Sequence, residues 1–221
     1  GPRAAVVGRS SMLANGQYWC YLTSMRPLPF TWPYALVFWA VYIWAFVPEW
    51  RIVTGGVRNV KDGASRDSGS LQVMLGGMWI ALFLAFPLSF ARSWMFPARI
   101  QLPLFAVGIS LMLLGSMLRR YCFRTLGEYF TGDVRARSDQ PVIQTGPYRL
   151  VRHPSYTAGM MMFSGIGLAL GNWVSLVLLL AGSMLTYWYR VTIEERALAE
   201  TIGEPYRDFM KARKRFIPYV I

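Results

Sequence analysis

The sequence predicts an all-α, polytopic membrane protein: about five transmembrane helices, a helical hairpin formed by the fourth and fifth, and a C-terminal amphipathic helix. Three observations predict it. Of the 221 residues, 54% are hydrophobic and only 15% charged. The apolar residues come in long uninterrupted blocks, several approaching the ~20 residues that a bilayer-crossing helix needs. The formal charge is +12, and in a membrane protein such an excess reports topology and anionic headgroups. No basic-aromatic nucleic-acid module is visible, so nucleic acid is set aside.

The first span is read at 33–50, "PYALVFWAVYIWAFVPEW", closed by Glu49 and Arg51. The segment 52–70 is Gly/Ser-rich and reads as a flexible loop. The second span is 71–91. The third is 101–118, stopped by Arg119 and Arg120. The fourth is 155–170, short for a full crossing, and the fifth 173–189, ending at Arg190. Only Gly171 and Asn172 join these two, so they form an antiparallel hairpin. Gly167 and Gly171 are spaced for close helix approach. In the tail, "EERALAETI" suits a helix, "GEP" at 203–205 breaks it, and "YRDFMKARKRF" reads as a short basic, aromatic helix for the headgroup region. Residues 1–118 are thus read as an N-terminal membrane region and 119–221 as a functional core. Residues 1–17 are mixed and show no cleavable-signal pattern.

Charge sets the orientation. With five spans, 18 Lys and Arg fall on one side and 5 on the other. The positive-inside rule puts the larger set, with 119–154 and the tail, in the cytoplasm and the N-terminus outside. Cys20 and Cys122 are the two cysteines and His153 the one histidine. No metal site, disulfide framework, Gly-rich phosphate loop or Ser-His-Asp set is read from them.

The chemistry-bearing residues gather on the basic side. Arg190 and Glu194 share a helical face; Glu195 is turned about 100° away. In "GPYRLVRHPSY", residues 146–156, Pro154 disfavours helix at His153, so the fourth span starts there. His153, with Arg149 and Arg152, then sits at a helix N-terminus, which favours an anionic group. The plainer readings are a capping histidine and an ion pair at a helix end. Residue types alone leave a polar pocket beneath hydrophobic helices.

The order of motifs goes further. "GPYRLVRHPSYTAG" at 146–159, "GNW" at 171–173 and "RVTIEERALAETIGEPYRDFMKARKRFIP" at 190–218 resemble the isoprenylcysteine carboxyl methyltransferase family, and also the related phospholipid N-methyltransferases. The resemblance covers roughly the last 100 residues. "FRTLGEYFTGDV" at 123–134 is similar to the family's preceding segment, with Tyr129-Phe130-Thr131 where many members carry Trp-Ser. The resemblance implies an intramembrane methyltransferase using S-adenosyl-L-methionine, with S-adenosyl-L-homocysteine as product. By position it implies cofactor contacts from Val142, Gly146, Tyr148, Arg152, His153, Pro154, Tyr156 and Glu194. It places Arg190 at the substrate's reacting group and Glu195 beside it as a candidate base. The acceptor is lipophilic: a prenylcysteine-like, isoprenoid or fatty acid, entering laterally from the membrane, with no obligate protein partner evident. A phospholipid amine acceptor, a nicotinamide-dependent sterol reductase and a non-catalytic module stand as the alternatives.

Overall fold

The computed structural model describes residues 26–59, 69–129 and 140–218. Six α-helices occur among them: α1 Tyr34–Asn59, α2 Ser70–Leu88, α3 Ala98–Leu126, α4 Pro154–Ala169, α5 Trp173–Thr201 and α6 Glu204–Ala212. The all-helical membrane fold read from composition is the one observed. α2, α3 and α5 are long and apolar enough to cross a membrane; the apolar stretch Tyr34–Val47 of α1 and the 16 residues of α4 are shorter.

Several boundaries move. Segment 52–59 is the end of α1, not loop; 60–68 lies outside the described residues, as do 1–17 and Cys20. α3 continues past Arg119 and Arg120 to Leu126. The two arginines end the apolar stretch without ending the helix, because each folds back onto the bundle. Arg119 Nη1 donates to the Ser155 carbonyl at 2.8 Å; Arg120 Nη2 donates to the Trp44 carbonyl at 2.7 Å and lies over the Trp44 ring. α5 likewise runs through "EERALAET" as one helix with the fifth span. It stops where Gly203 takes φ +78° ahead of Pro205.

α4 is packed between α3 and α5, α2 lies on α5, and α1 on α3. Small residues permit the α3–α4 approach. A Cβ on Gly108 would fall 2.5 Å from the Gly165 carbonyl oxygen, and one on Gly115 2.7 Å from that of Ala158. The α4–α5 turn is fixed by Asn172, whose Oδ1 accepts from the Val174 and Ser175 amides at 3.0 and 3.1 Å, capping α5. Its Nδ2 reaches the Leu88 and Ala91 carbonyls after α2. Aromatic rings of α1 and α2, among them Phe38, Tyr42, Phe46 and Phe86, pack at the other side of the core. Chain direction then gathers the C-terminal ends of α1, α3 and α5 and the N-terminal ends of α2 and α4 at one end of the bundle.

A candidate methyl-transfer site at the polar end of the bundle

His153 ends the segment read as a helix start, and α4 begins at Pro154 as expected. Its side chain makes no capping hydrogen bond. The ring instead turns to α5, where Nε2 pairs with Glu195 Oε1 at 3.1 Å. Arg152 Nη1 meets the same oxygen at 3.3 Å, and Arg215 Nη2 meets Oε2 at 2.8 Å. Glu195 is 2% exposed, so its charge is balanced by neighbours rather than water. The C-terminal segment holds this cluster in register: the Arg152 amide donates to the Lys214 carbonyl and the His153 amide to that of Arg215, each at 2.9 Å. Three chain segments far apart in sequence thus converge on one carboxylate.

Beside the cluster lies a cavity of about 110 Å³. Glu194 stands on one wall, and its Oε2 accepts from the Tyr156 hydroxyl at 2.7 Å. Arg190, one turn earlier, also lines the cavity, and its Nη1 donates to the buried Ser70 hydroxyl of α2 at 2.5 Å. Arg152 and His153 line it too, with Val142, Tyr148 and Tyr156. Burial pushes the phenols of Tyr148 and Tyr206 upward, and Glu194 adds to the rise in both. Both therefore remain O–H donors.

Seven residues named from the sequence line this cavity: Val142, Tyr148, Arg152, His153, Tyr156, Arg190 and Glu194. Gly146, Pro154 and Glu195 do not line it. Gly146 takes φ +56° and starts the turn that carries Tyr148 inward; Pro154 sets the first turn of α4. Arg149 is exposed. Sequence reading did not assign Leu198 and Ile202, which follow Glu194 at four and eight residues along one face of α5 and form the apolar floor. Tyr206 and Phe209 of α6, and Gln140 to Ile143, complete the wall. Tyr206 lies in the quoted stretch 190–218, three residues after Gly203, which was the available signal. Ser70 had none.

The donor set suits an amino-acid-bearing sulfonium such as S-adenosyl-L-methionine. Arg152 Nε and the Tyr148 hydroxyl are buried without a hydrogen-bond partner. Glu194 adds a carboxylate to the same lining, bonded to the Tyr156 hydroxyl. Donors for an anion and a carboxylate for a cation thus line one cavity.

Known methyltransferases resemble this chain. Residues 104–204 match the phospholipid methyltransferase family model. Protein-S-isoprenylcysteine O-methyltransferase B of Arabidopsis thaliana is 25% identical over 115 residues, covering 51% of this chain and 58% of that protein. The Dictyostelium discoideum protein-S-isoprenylcysteine O-methyltransferase is 28% identical over 141 residues, covering 61% and 60%. The solved structure of a eukaryotic intramembrane Ras methyltransferase, isoprenylcysteine carboxyl methyltransferase, superposes with a TM-score of 0.51 at 25% identity, covering 69% of this chain and 53% of that one. The chain thus spans between about half and three fifths of the relatives it matches. In sequence and in fold the chain is similar to the isoprenylcysteine carboxyl methyltransferases.

Proposed function

We propose that this protein is an S-adenosyl-L-methionine-dependent methyltransferase that esterifies the carboxylate of a lipophilic acceptor, of the prenylcysteine type, at the cytoplasmic face of the membrane. The observation that carries the reading is the one cavity lined by Glu194, Arg152 and His153 together. Bound there, the cofactor supplies an electrophilic methyl group. Arg152 and the α4 N-terminus receive its carboxylate, and Glu194 receives its ammonium. The Tyr148, Tyr156 and Tyr206 rings pack around it.

The placement of Glu195 and His153 supports carboxyl rather than amine methylation. An amine acceptor needs a base to remove its proton. Glu195, the candidate base, is engaged by His153, Arg152 and Arg215 and does not line the cavity. His153 Nε2 is itself turned toward Glu195. A carboxylate is already a nucleophile, so orientation is what the protein must provide. Arg190, fixed by Ser70, is placed to do so. Residues 119–221 are the core of the enzyme in this reading, and the side carrying 18 Lys and Arg is cytoplasmic.

The test is calorimetric binding of S-adenosyl-L-homocysteine and of NADPH to the purified protein. Binding of the first, lost in Glu194→Gln and His153→Ala, is expected. NADPH binding with no binding of the first overturns the proposal.

A further inference from the structure

After α6 the chain turns back along the segment that precedes α4, and Lys214 pairs with Val151 in a parallel bridge. The Thr157 hydroxyl donates to the Phe216 carbonyl at 2.8 Å. The buried Phe216 ring packs near both His153 and Trp188. Arg215 lies over the Trp188 ring, 4.7 Å from its centroid, while paired with Glu195. Residues 213–218 thus form a strap across the end of the bundle. Its inner atoms hold the Arg152 and His153 amides and the Glu195 carboxylate, and Arg152 and His153 line the cavity.

The outer face of the strap differs from that of α6. On α6 the exposed charges neutralise one another: Arg207 pairs with Glu204 and Lys211 with Asp208. On the strap Lys214 is exposed, as is Arg149 just ahead of the paired segment, and neither has an ion pair among the described residues. Two large apolar side chains accompany these cations: Leu150 is 58% exposed and Ile217 48%. The depth of the strap is set by α5. Leu185 is exposed on its apolar stretch, and Trp188 follows three residues later on the same face. Trp is enriched where membrane meets water, and Trp188 is the ring that Arg215 covers.

We propose that the strap docks on an anionic bilayer surface at the polar end of the bundle, and that this docking tightens cofactor binding. The second part rests on the S-adenosyl-L-methionine reading above; the docking itself does not. Exposed cations beside exposed apolar side chains, at the depth of an interfacial Trp, match anionic headgroups over acyl chains. Lipid favours the seated strap, because seating brings Lys214 and Ile217 beside Arg149 and Leu150. A strap lifted from residues 150–153 separates the two pairs and also frees Arg152, His153 and Glu195. An anionic surface therefore has unequal affinity for the two states, which is what shifts an equilibrium. The coupling is reciprocal, so the lipid raises affinity at the cavity.

The experiment uses the full chain in nanodiscs of phosphatidylcholine alone, or of phosphatidylcholine in equal parts with phosphatidylglycerol. Hydrogen exchange of the peptide holding Arg152 and His153 reports strap seating with no added ligand. Slower exchange in the anionic nanodiscs is expected; equal exchange in both overturns the docking. S-adenosyl-L-homocysteine should bind about fivefold tighter in the anionic nanodiscs, the effect of one basic residue near such a surface. Equal affinity in the two lipids overturns the coupling. Lys214→Gln combined with Ile217→Ser should abolish both lipid effects and leave affinity in the neutral nanodiscs unchanged. Lipid effects that persist in this variant overturn the assignment to the strap. Exchange slowed by the anionic lipid, with no S-adenosyl-L-homocysteine binding in either nanodisc, would count against the methyltransferase reading and support the docking.

Discussion

His153 and Glu195 stand 42 residues apart in sequence, and Nε2 of one lies 3.1 Å from Oε1 of the other. That contact joins α5 to the segment before α4, and Arg215 joins the C-terminal segment to both. The cluster is a keystone: it positions the side chains that face the cavity while Glu195 itself stays outside it.

Glu195→Gln should therefore act on folding. It leaves Arg152 and Arg215 without their counter-charge, and breaking such a buried set costs about 3–5 kcal/mol. Thermal unfolding in detergent should show the loss. Wild-type stability in this variant would mean that the two arginines are satisfied without Glu195.

Glu194→Gln should act on binding. The carboxylate is only part-buried, and the amide can still accept from the Tyr156 hydroxyl. Removing a charged hydrogen-bond partner costs about 1.5–3 kcal/mol, or about 10- to 150-fold in S-adenosyl-L-homocysteine affinity. Unfolding temperature should stay near wild type. Titration calorimetry together with a melting curve separates this outcome from that of Glu195→Gln.

Ser70 lies outside the residues matched by the family model, yet its hydroxyl accepts from Arg190 within the buried core. Ser70→Ala should lower kcat about tenfold, from a hydrogen-bond loss of about 1–1.5 kcal/mol, with cofactor-product affinity unchanged. Ser70→Thr, which keeps the hydroxyl, should restore most of the rate. Equal loss in both variants would point to packing at the start of α2 rather than to orientation of Arg190.

Gly115→Ala tests the helix contact that carries α4. The added methyl falls 2.7 Å from the Ala158 carbonyl oxygen and 2.8 Å from Met162 Cγ. Backbone must shift to admit it, at about 1–3 kcal/mol. A lowered melting temperature is the expected result, with weakened analogue binding because α4 begins at the His153 cluster. No change in either would show that α3 and α4 separate freely.

Local sequence determined a good deal here. Uninterrupted apolar blocks allow only helices in a bilayer, because every backbone polar group must bond within its own segment. The five apolar stretches were therefore legible in order. So were the turn at Gly171, the helix start at Pro154 and the break at Gly203, each set by one residue's backbone preference. Helix ends were less legible. Charge at Arg119 and Arg190 marks where apolar surroundings stop, and the hydrogen-bond ladder simply continues through Leu126 and Thr201. The cavity residues in the RHP and Glu-Glu segments were legible because their spacing repeats a known pattern. What only the tertiary structure decided is what each carboxylate touches. Glu194 and Glu195 are adjacent and chemically identical, yet 100° of helix rotation turns one to the cavity and the other to Arg152, His153 and Arg215. Ser70, Arg119 and Arg215 join the site from other elements, and such partners are set by packing across the bundle, which leaves no periodic trace in the chain.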